Sequence, residues 1–99
     1  QVAQTGGYPI GAISTTCSIT SNCNIVGMVG PTYSREAHII TQYAESVGIP
    51  AISYTATDPE LSDRNAYPTF YRTVPSDATA ALSIVELFKR FNWTSCIII

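Results

Sequence analysis

The chain is short of charge, of histidine and of long apolar runs, and each shortage excludes a class of function. Only 12% of its 99 residues are charged, five Lys and Arg against seven Asp and Glu, for a net charge of −2. Lys89 and Arg90 are the one adjacent basic pair. A phosphate backbone needs a basic patch to bind it, so a nucleic-acid partner is excluded. No apolar stretch reaches the roughly 20 residues of a membrane helix, and no basic, apolar, small-residue order marks a signal peptide. The C-x-x-C spacing of zinc sites is missing. Gly6, Gly7 and Gly11 fit neither G-x-G-x-x-G nor a phosphate loop, and there is no G-x-S-x-G elbow. The single His38 falls inside an expected helix with no nucleophile to serve. Without a catalytic set, metal or cofactor signature, binding rather than catalysis is the simpler expectation.

What is present is a globular composition, 45% hydrophobic. The chain opens without Met and ends in the apolar run Cys96-Ile97-Ile98-Ile99 with no turn residue, so a fragment of one longer domain is expected. Cys17 and Cys23 flank a Ser/Thr/Asn stretch and admit three states: a small disulfide loop, pairing with another segment, or two thiols. Cys96, in its apolar run, reads as a buried thiol. Asn92-Trp93-Thr94 fits the N-glycosylation pattern, which together with Cys17 and Cys23 points to the secretory side.

Residues 1–24 carry many Gly, Ser, Thr and Asn and no sustained period. They read as an irregular lead-in, a loop holding a broken helix or a short strand. From residue 25 the pattern sharpens. Ile25 to Gly30 is a short apolar run without alternation, as for a strand buried on both faces. A helix is expected from Ser34 to Val47, with Ala37, Ile40, Ala44 and Val47 on one stripe. Ser34 would be its N-cap and Glu36 would favour its positive end. Gly48 suits the left-handed position after the helix, and Pro50 stops continuation. Pro50 to Tyr54 reads as a second strand, parallel to the first because a helix joins them. Residues 55–68 read as a polar loop with room for one helical turn. Thr69 to Thr73 is a third strand candidate. Ser76-Asp77 opens a second helix with Ala81, Ile84, Val85 and Phe88 inward, and Ser95 to Ile99 would be a last strand. The fold class expected over 25–99 is therefore α/β, a β-α-β-β-α-β core with an open, mostly parallel sheet and flanking helices.

In such sheets ligands bind beyond the carboxyl ends of the strands. The loops Pro31-Thr32-Tyr33-Ser34-Arg35 and Thr55-Ala56-Thr57-Asp58 leave two parallel strands on that edge, and both are dense in hydroxyls. A helix N-terminus in the first loop attracts a carboxylate or phosphate. Ser34 either caps its helix or donates to an anion. Tyr33 either stacks on a ligand or covers the sheet end, and Arg35 either clamps an anion or is solvated. Asp58 and Glu60 either meet a cation or form a solvated turn beside Pro59. Asp63 and Asp77 read as turn and helix-start residues.

Several segments carry a family resemblance: Val26-Gly27-Met28-Val29-Gly30-Pro31, Gly48-Ile49-Pro50, Ser53-Tyr54-Thr55-Ala56-Thr57, Leu61-Ser62-Asp63, Tyr67 through Asp77 and Phe91-Asn92-Trp93. In order and spacing, from residue 25 onward, the chain resembles the receptor family ligand-binding region of the type I periplasmic-binding-protein fold. It looks most like the class C G-protein-coupled receptors, the metabotropic glutamate and GABA type B receptors above all; natriuretic-peptide receptor guanylate cyclases share the fold more loosely. The resemblance implies part of the first lobe of a clamshell on the extracellular side of the cell membrane. It also implies a membrane span in other segments, a dimer in the full receptor and a small ligand such as an amino acid. Carried over residue by residue, Ser34, Thr55 and Thr57 hold the ligand's carboxylate and ammonium groups. Tyr33 and Arg35 stand where the glutamate receptors have serines, which argues for another amino acid or small anion. The alternatives are the ectodomain of a natriuretic-peptide-type receptor guanylate cyclase and a soluble amino-acid-binding protein of a bacterial transporter.

Overall fold

The structure is a computed structural model and describes residues 2, 4–22 and 24–97. Three helices and three short strands follow one another as α1 (Pro9–Asn22), β1 (Met28–Val29), α2 (Ser34–Ser46), β2 (Ala51–Ser53), a 3-10 turn (Pro59–Ser62), β3 (Phe70–Arg72) and α3 (Asp77–Phe91). The sheet order is β1-β2-β3 with both pairings parallel. This is the partial open α/β sheet expected from the sequence.

The strands are shorter than the apolar runs that produce them. Pro50 has no N–H to give, so the β1–β2 ladder begins one residue later, with Met28 opposite Ala51. Pro50 still accepts through its carbonyl, from Met28 N at 2.9 Å, and Gly30 N closes on Ile52 O at 2.8 Å. The third strand lies parallel to β2, with Ala51 opposite Phe70 and Ser53 opposite Arg72.

The register sorts the two sheet faces. Ala51 and Phe70 are buried with Ala37 of α2 and Ala56 and Leu61 of the following loop, while Met28 and Tyr67 pack against that cluster. On the opposite face Val29, Ile52 and Tyr71 form one row across the three strands, and they are 84%, 44% and 51% exposed. The expectation of strands covered on both faces is therefore corrected: the described residues cover one face only.

Helix α2 forms where expected, with two changes of role. Its buried side carries Glu36, Ala37, Ile40, Thr41 and Ala44, whereas Val47 is 45% exposed as the C-cap. The N-cap is Tyr33 rather than Ser34; it is extended and makes no side-chain cap bond. The Tyr33 carbonyl instead accepts from Glu36 N and Ala37 N, both at 3.0 Å. Gly48 takes φ +74° beyond the helix end, and Ile49 N reaches back to Ala44 O at 2.8 Å, which ends the helix as glycine at that position should.

The main departure is α1, a 14-residue helix in the segment read as irregular. Its inner side is made of small residues, Ala12 fully buried and Thr16 7% exposed, so no large apolar stripe announces it. Three of its hydroxyls turn back onto the helix itself: Thr16 Oγ1 donates to Ala12 O at 2.8 Å, Thr20 Oγ1 to Thr16 O at 2.9 Å and Ser21 Oγ to Cys17 O at 2.7 Å. Pro9 starts the helix with a preset φ, and Thr20 Oγ1 lies 2.9 Å from the hydroxyl of Tyr43 on α2. Packing on α2 thus overrides weak propensity.

Helix α3 begins and ends as the sequence indicates, at Ser76 and at Asn92, which takes φ 53°. None of its residues is buried, so the inward role expected for Ala81, Ile84, Val85 and Phe88 does not hold. Phe88 is half-buried, edge-on to Trp93, which also stacks on Phe91 at 5.2 Å. Ser95 to Ile97 form no strand, and the rest of that expected strand lies outside the described residues. Cys96 is exposed, not buried, because no layer covers this end. With α3 projecting, the chain measures 57 × 26 × 19 Å.

Candidate functional site

The parallel pairing of β1 and β2 brings residues 31–35 and 55–58 to one rim, where the two loops are bonded to each other. Buried Ser53 is the pin. Its hydroxyl donates to Pro31 O at 2.8 Å and accepts from Ala56 N at 3.0 Å and Thr55 N at 3.3 Å. Thr55 Oγ1 donates to Thr32 O at 2.6 Å, and the hydroxyls of Thr32 and Tyr54 are 3.0 Å apart. Ser34 Oγ accepts from Asp58 N at 3.3 Å. Thr57 is half-buried, and its carbonyl accepts from Asp77 N at 2.9 Å, which ties α3 to the same loop.

Arg72, at the end of β3, supports this loop from behind. Its guanidinium donates to Ala56 O at 3.1 Å, to Asp58 O at 2.9 Å and to the Ser62 hydroxyl. Arg35 lies over the Tyr33 ring at 5.2 Å, so these two side chains engage each other. Gly7, at φ +76°, packs against both: an added Cβ would sit 3.3 Å from Arg35 Nη2 and 3.4 Å from the Tyr33 ring. Beside the rim a cleft of about 530 Å³ runs along the free edge of β1, lined in part by Thr16, Thr20, Asn24, Thr32 and Tyr54.

All five rim residues singled out in the sequence, Tyr33, Ser34, Arg35, Thr55 and Thr57, thus belong to two mutually bonded loops. The Cys17–Cys23 pairing involves Cys23, which lies outside the described residues, and Asn92 sits exposed at the far end of α3. Among the described residues, no helix is long and apolar enough to cross a membrane.

A second group gathers around Asp58 and Glu60, which the sequence offered for a cation or a solvated turn, and adds His38, which the sequence did not bring to them. His38 points from α2 to the 3-10 turn, where Nε2 is 3.0 Å from Asp58 Oδ2, and its Nδ1 is 2.7 Å from the Tyr67 hydroxyl. Asp58 Oδ1 accepts from Glu60 N at 3.0 Å. The hydrogen bond with His38, and then the Glu60 N–H, hold the Asp58 carboxyl below the usual carboxylate range. Burial, then the nearby carboxylates, push the Tyr67 phenol up. Position 38 falls on the flank of α2 rather than its core stripe; only the turn folded over that flank gives the histidine partners.

This arrangement places hydroxyl-bearing loops, bonded to each other, beyond the carboxyl ends of parallel strands, where open α/β sheets take their ligands. The model of the receptor family ligand-binding region matches residues 2–99, and the chain belongs to that family. The match takes in residues 2–24 as well as the stretch from residue 25 whose motifs carry the resemblance. Among curated relatives, taste receptor type 1 member 3 of Felis catus is 33% identical over 79% of this chain and 10% of its own length. The Mus musculus protein of that name is 35% identical over 77% and 10%. Glutamate receptor 3.7 of Arabidopsis thaliana is 38% identical over 74% of this chain and 8% of its own. The chain spans about a tenth of the length of the curated relatives it matches. Each of them is named a receptor.

Proposed function

We propose that this chain is part of the extracellular ligand-binding lobe of a membrane signalling receptor of the class C G-protein-coupled type, and that its rim holds a small amino-acid-like anion. The observation that carries this reading is the bonded pair of loops 31–35 and 55–58 at the carboxyl ends of parallel strands. Ser34 accepts from Asp58 N and keeps its own hydroxyl proton for a ligand carboxylate. The N–H groups of the first turn of α2 lie beside it and add the positive end of the helix. Half-buried Thr57 offers a hydroxyl from the facing loop, while exposed Thr55, whose hydroxyl proton goes to Thr32 O, is left to accept from the ligand's ammonium group. Tyr33 and Arg35 border this position as a stacked pair and set the size and charge of what enters. The relatives named as taste and glutamate receptors support a small ligand.

A single lobe supplies half of a binding cleft, so closure of a second lobe on the ligand is the step that shifts the receptor's two-state equilibrium. Membrane anchoring and dimerisation belong to the whole receptor. Exposure of Asn92 in its Asn-Trp-Thr triplet supports glycosylation there, as an extracellular position requires.

The test uses the whole receptor. Ser34→Ala and Thr57→Ala should each weaken binding of its amino-acid ligand about tenfold, the value of a hydrogen bond to a charged group, with the fold unchanged by circular dichroism. Unchanged affinity in both variants would remove the rim as the ligand site.

A further inference from the structure

We propose that His38, Asp58 and Glu60 bind a divalent transition-metal ion of the zinc class on the flank of α2, at the side chain of Asp58 rather than at its backbone N–H, which belongs to the rim. Twenty residues of sequence separate His38 from Asp58, yet one ligand atom from each of the three side chains lies within 4.8 Å of the others. Ions of this class bind nitrogen and oxygen at about 2.0–2.2 Å, which sets neighbouring ligand atoms roughly 3–3.5 Å apart. The His38 Nε2 to Asp58 Oδ2 separation of 3.0 Å is already at that spacing, and the carboxylate of exposed Glu60 lies within 4.8 Å of both.

The surroundings are those that a metal-binding histidine uses. A ligating imidazole gives its other N–H to an acceptor that fixes ring and tautomer. Here Nδ1 is 2.7 Å from the Tyr67 hydroxyl, which can donate to a bare nitrogen or accept from a protonated one. When the ion takes Nε2, the imidazole proton moves to Nδ1 and Tyr67 accepts it; the ring keeps its place. Asp58 commits Oδ1 to the Glu60 N–H, leaving Oδ2 for the ion, while Arg72 holds the Asp58 carbonyl. One imidazole and two carboxylates favour zinc, cobalt or nickel over calcium or magnesium, which take all-oxygen sets. Three protein ligands leave a coordination position for water on the exposed Glu60 side.

Calorimetric titration of the full chain with zinc chloride tests this. The chain carries no histidine tag, and the Cys17, Cys23 and Cys96 thiols are alkylated so that they do not compete. One ion per chain is expected, with affinity lowered at least about tenfold in His38→Gln and Glu60→Gln. Tyr67→Phe, a positioning change, should weaken binding by about tenfold or more while keeping the stoichiometry. Glu60 is exposed, so Glu60→Gln leaves the fold intact even if His38→Gln loosens the turn. No binding by the unsubstituted chain, or affinity in His38→Gln and Glu60→Gln equal to that of the unsubstituted chain, would overturn the site. Neither result bears on the rim, whose ligand is tested through Ser34 and Thr57.

Discussion

The hydroxyl of Ser53 donates to the carbonyl of Pro31 at 2.8 Å, across from the end of β2 to the loop that leaves β1. Ser53 is fully buried and also accepts from Ala56 N and Thr55 N, so this side chain, together with the Thr55–Thr32 and Asp58–Ser34 bonds, sets the distance between the two rim loops. Ser53→Ala leaves the Pro31 carbonyl and two N–H groups without that partner. The expected loss is about 1–3 kcal/mol of stability, the cost of unsatisfied buried groups. Urea unfolding of the chain measures it. In the whole receptor the same change should also weaken ligand binding, because the loops lose their spacing. A midpoint equal to that of the parent chain would mean that water replaces the hydroxyl at no cost.

Much of this arrangement is legible from residues alone, for physical reasons. Two parallel strands joined by a helix must place their exit loops on one edge, so the sequence alone pairs residues 31–35 with 55–58. Helix α2 was legible because Gly48 and Pro50 stop it where the stripe Ala37, Ile40 and Ala44 ends. Other features depend on contacts that no local pattern encodes. Helix α1 faces its partner with Ala12 and Thr16, residues that carry no hydrophobic period. Ser34 resembles a cap, but Asp58 N claims its hydroxyl. His38 acquires partners only because the turn at Pro59–Ser62 folds over α2. The stripe of α3 was legible as a pattern, yet nothing among the described residues covers it.

Glu36 is 1% exposed in the first turn of α2, and its Oε1 has no hydrogen-bond partner. An acidic residue near a helix N-terminus gains from the dipole, but a buried, incompletely bonded carboxylate bears a larger desolvation cost. The neutral isostere should win. Glu36→Gln is expected to raise stability at neutral pH by about 1 kcal/mol or more, read as a higher denaturation midpoint. A lower midpoint would show that the carboxylate charge is itself required, by the helix end or by a donor that Gln cannot match.

Gly48 has φ +74°, and an added Cβ would meet nothing within 4 Å. The cost of a side chain there is conformational rather than steric. Gly48→Ala should destabilise by about 1–2 kcal/mol, the left-handed penalty of an L-residue, and Gly48→Asn by less, because Asn tolerates that region. Thermal unfolding of the two variants side by side gives the order. If Ala proved no worse than Asn, the end of α2 would have to rearrange to relieve the strain.

Arg72 is half-buried and donates to two carbonyls of the rim loop, Ala56 at 3.1 Å and Asp58 at 2.9 Å. Only a planar guanidinium presents several donors in a fixed fork, so lysine is not an equivalent. Arg72→Lys should recover only part of what Arg72→Met loses, and the Met variant is expected to cost about 1–3 kcal/mol through the unsatisfied carbonyls. The effect should be local. Amide hydrogen exchange is expected to rise at residues 56–63 in both variants and to stay unchanged in α1, which packs on α2. Faster exchange spread evenly over α1 and α2 would assign Arg72 to global stability rather than to holding the loop.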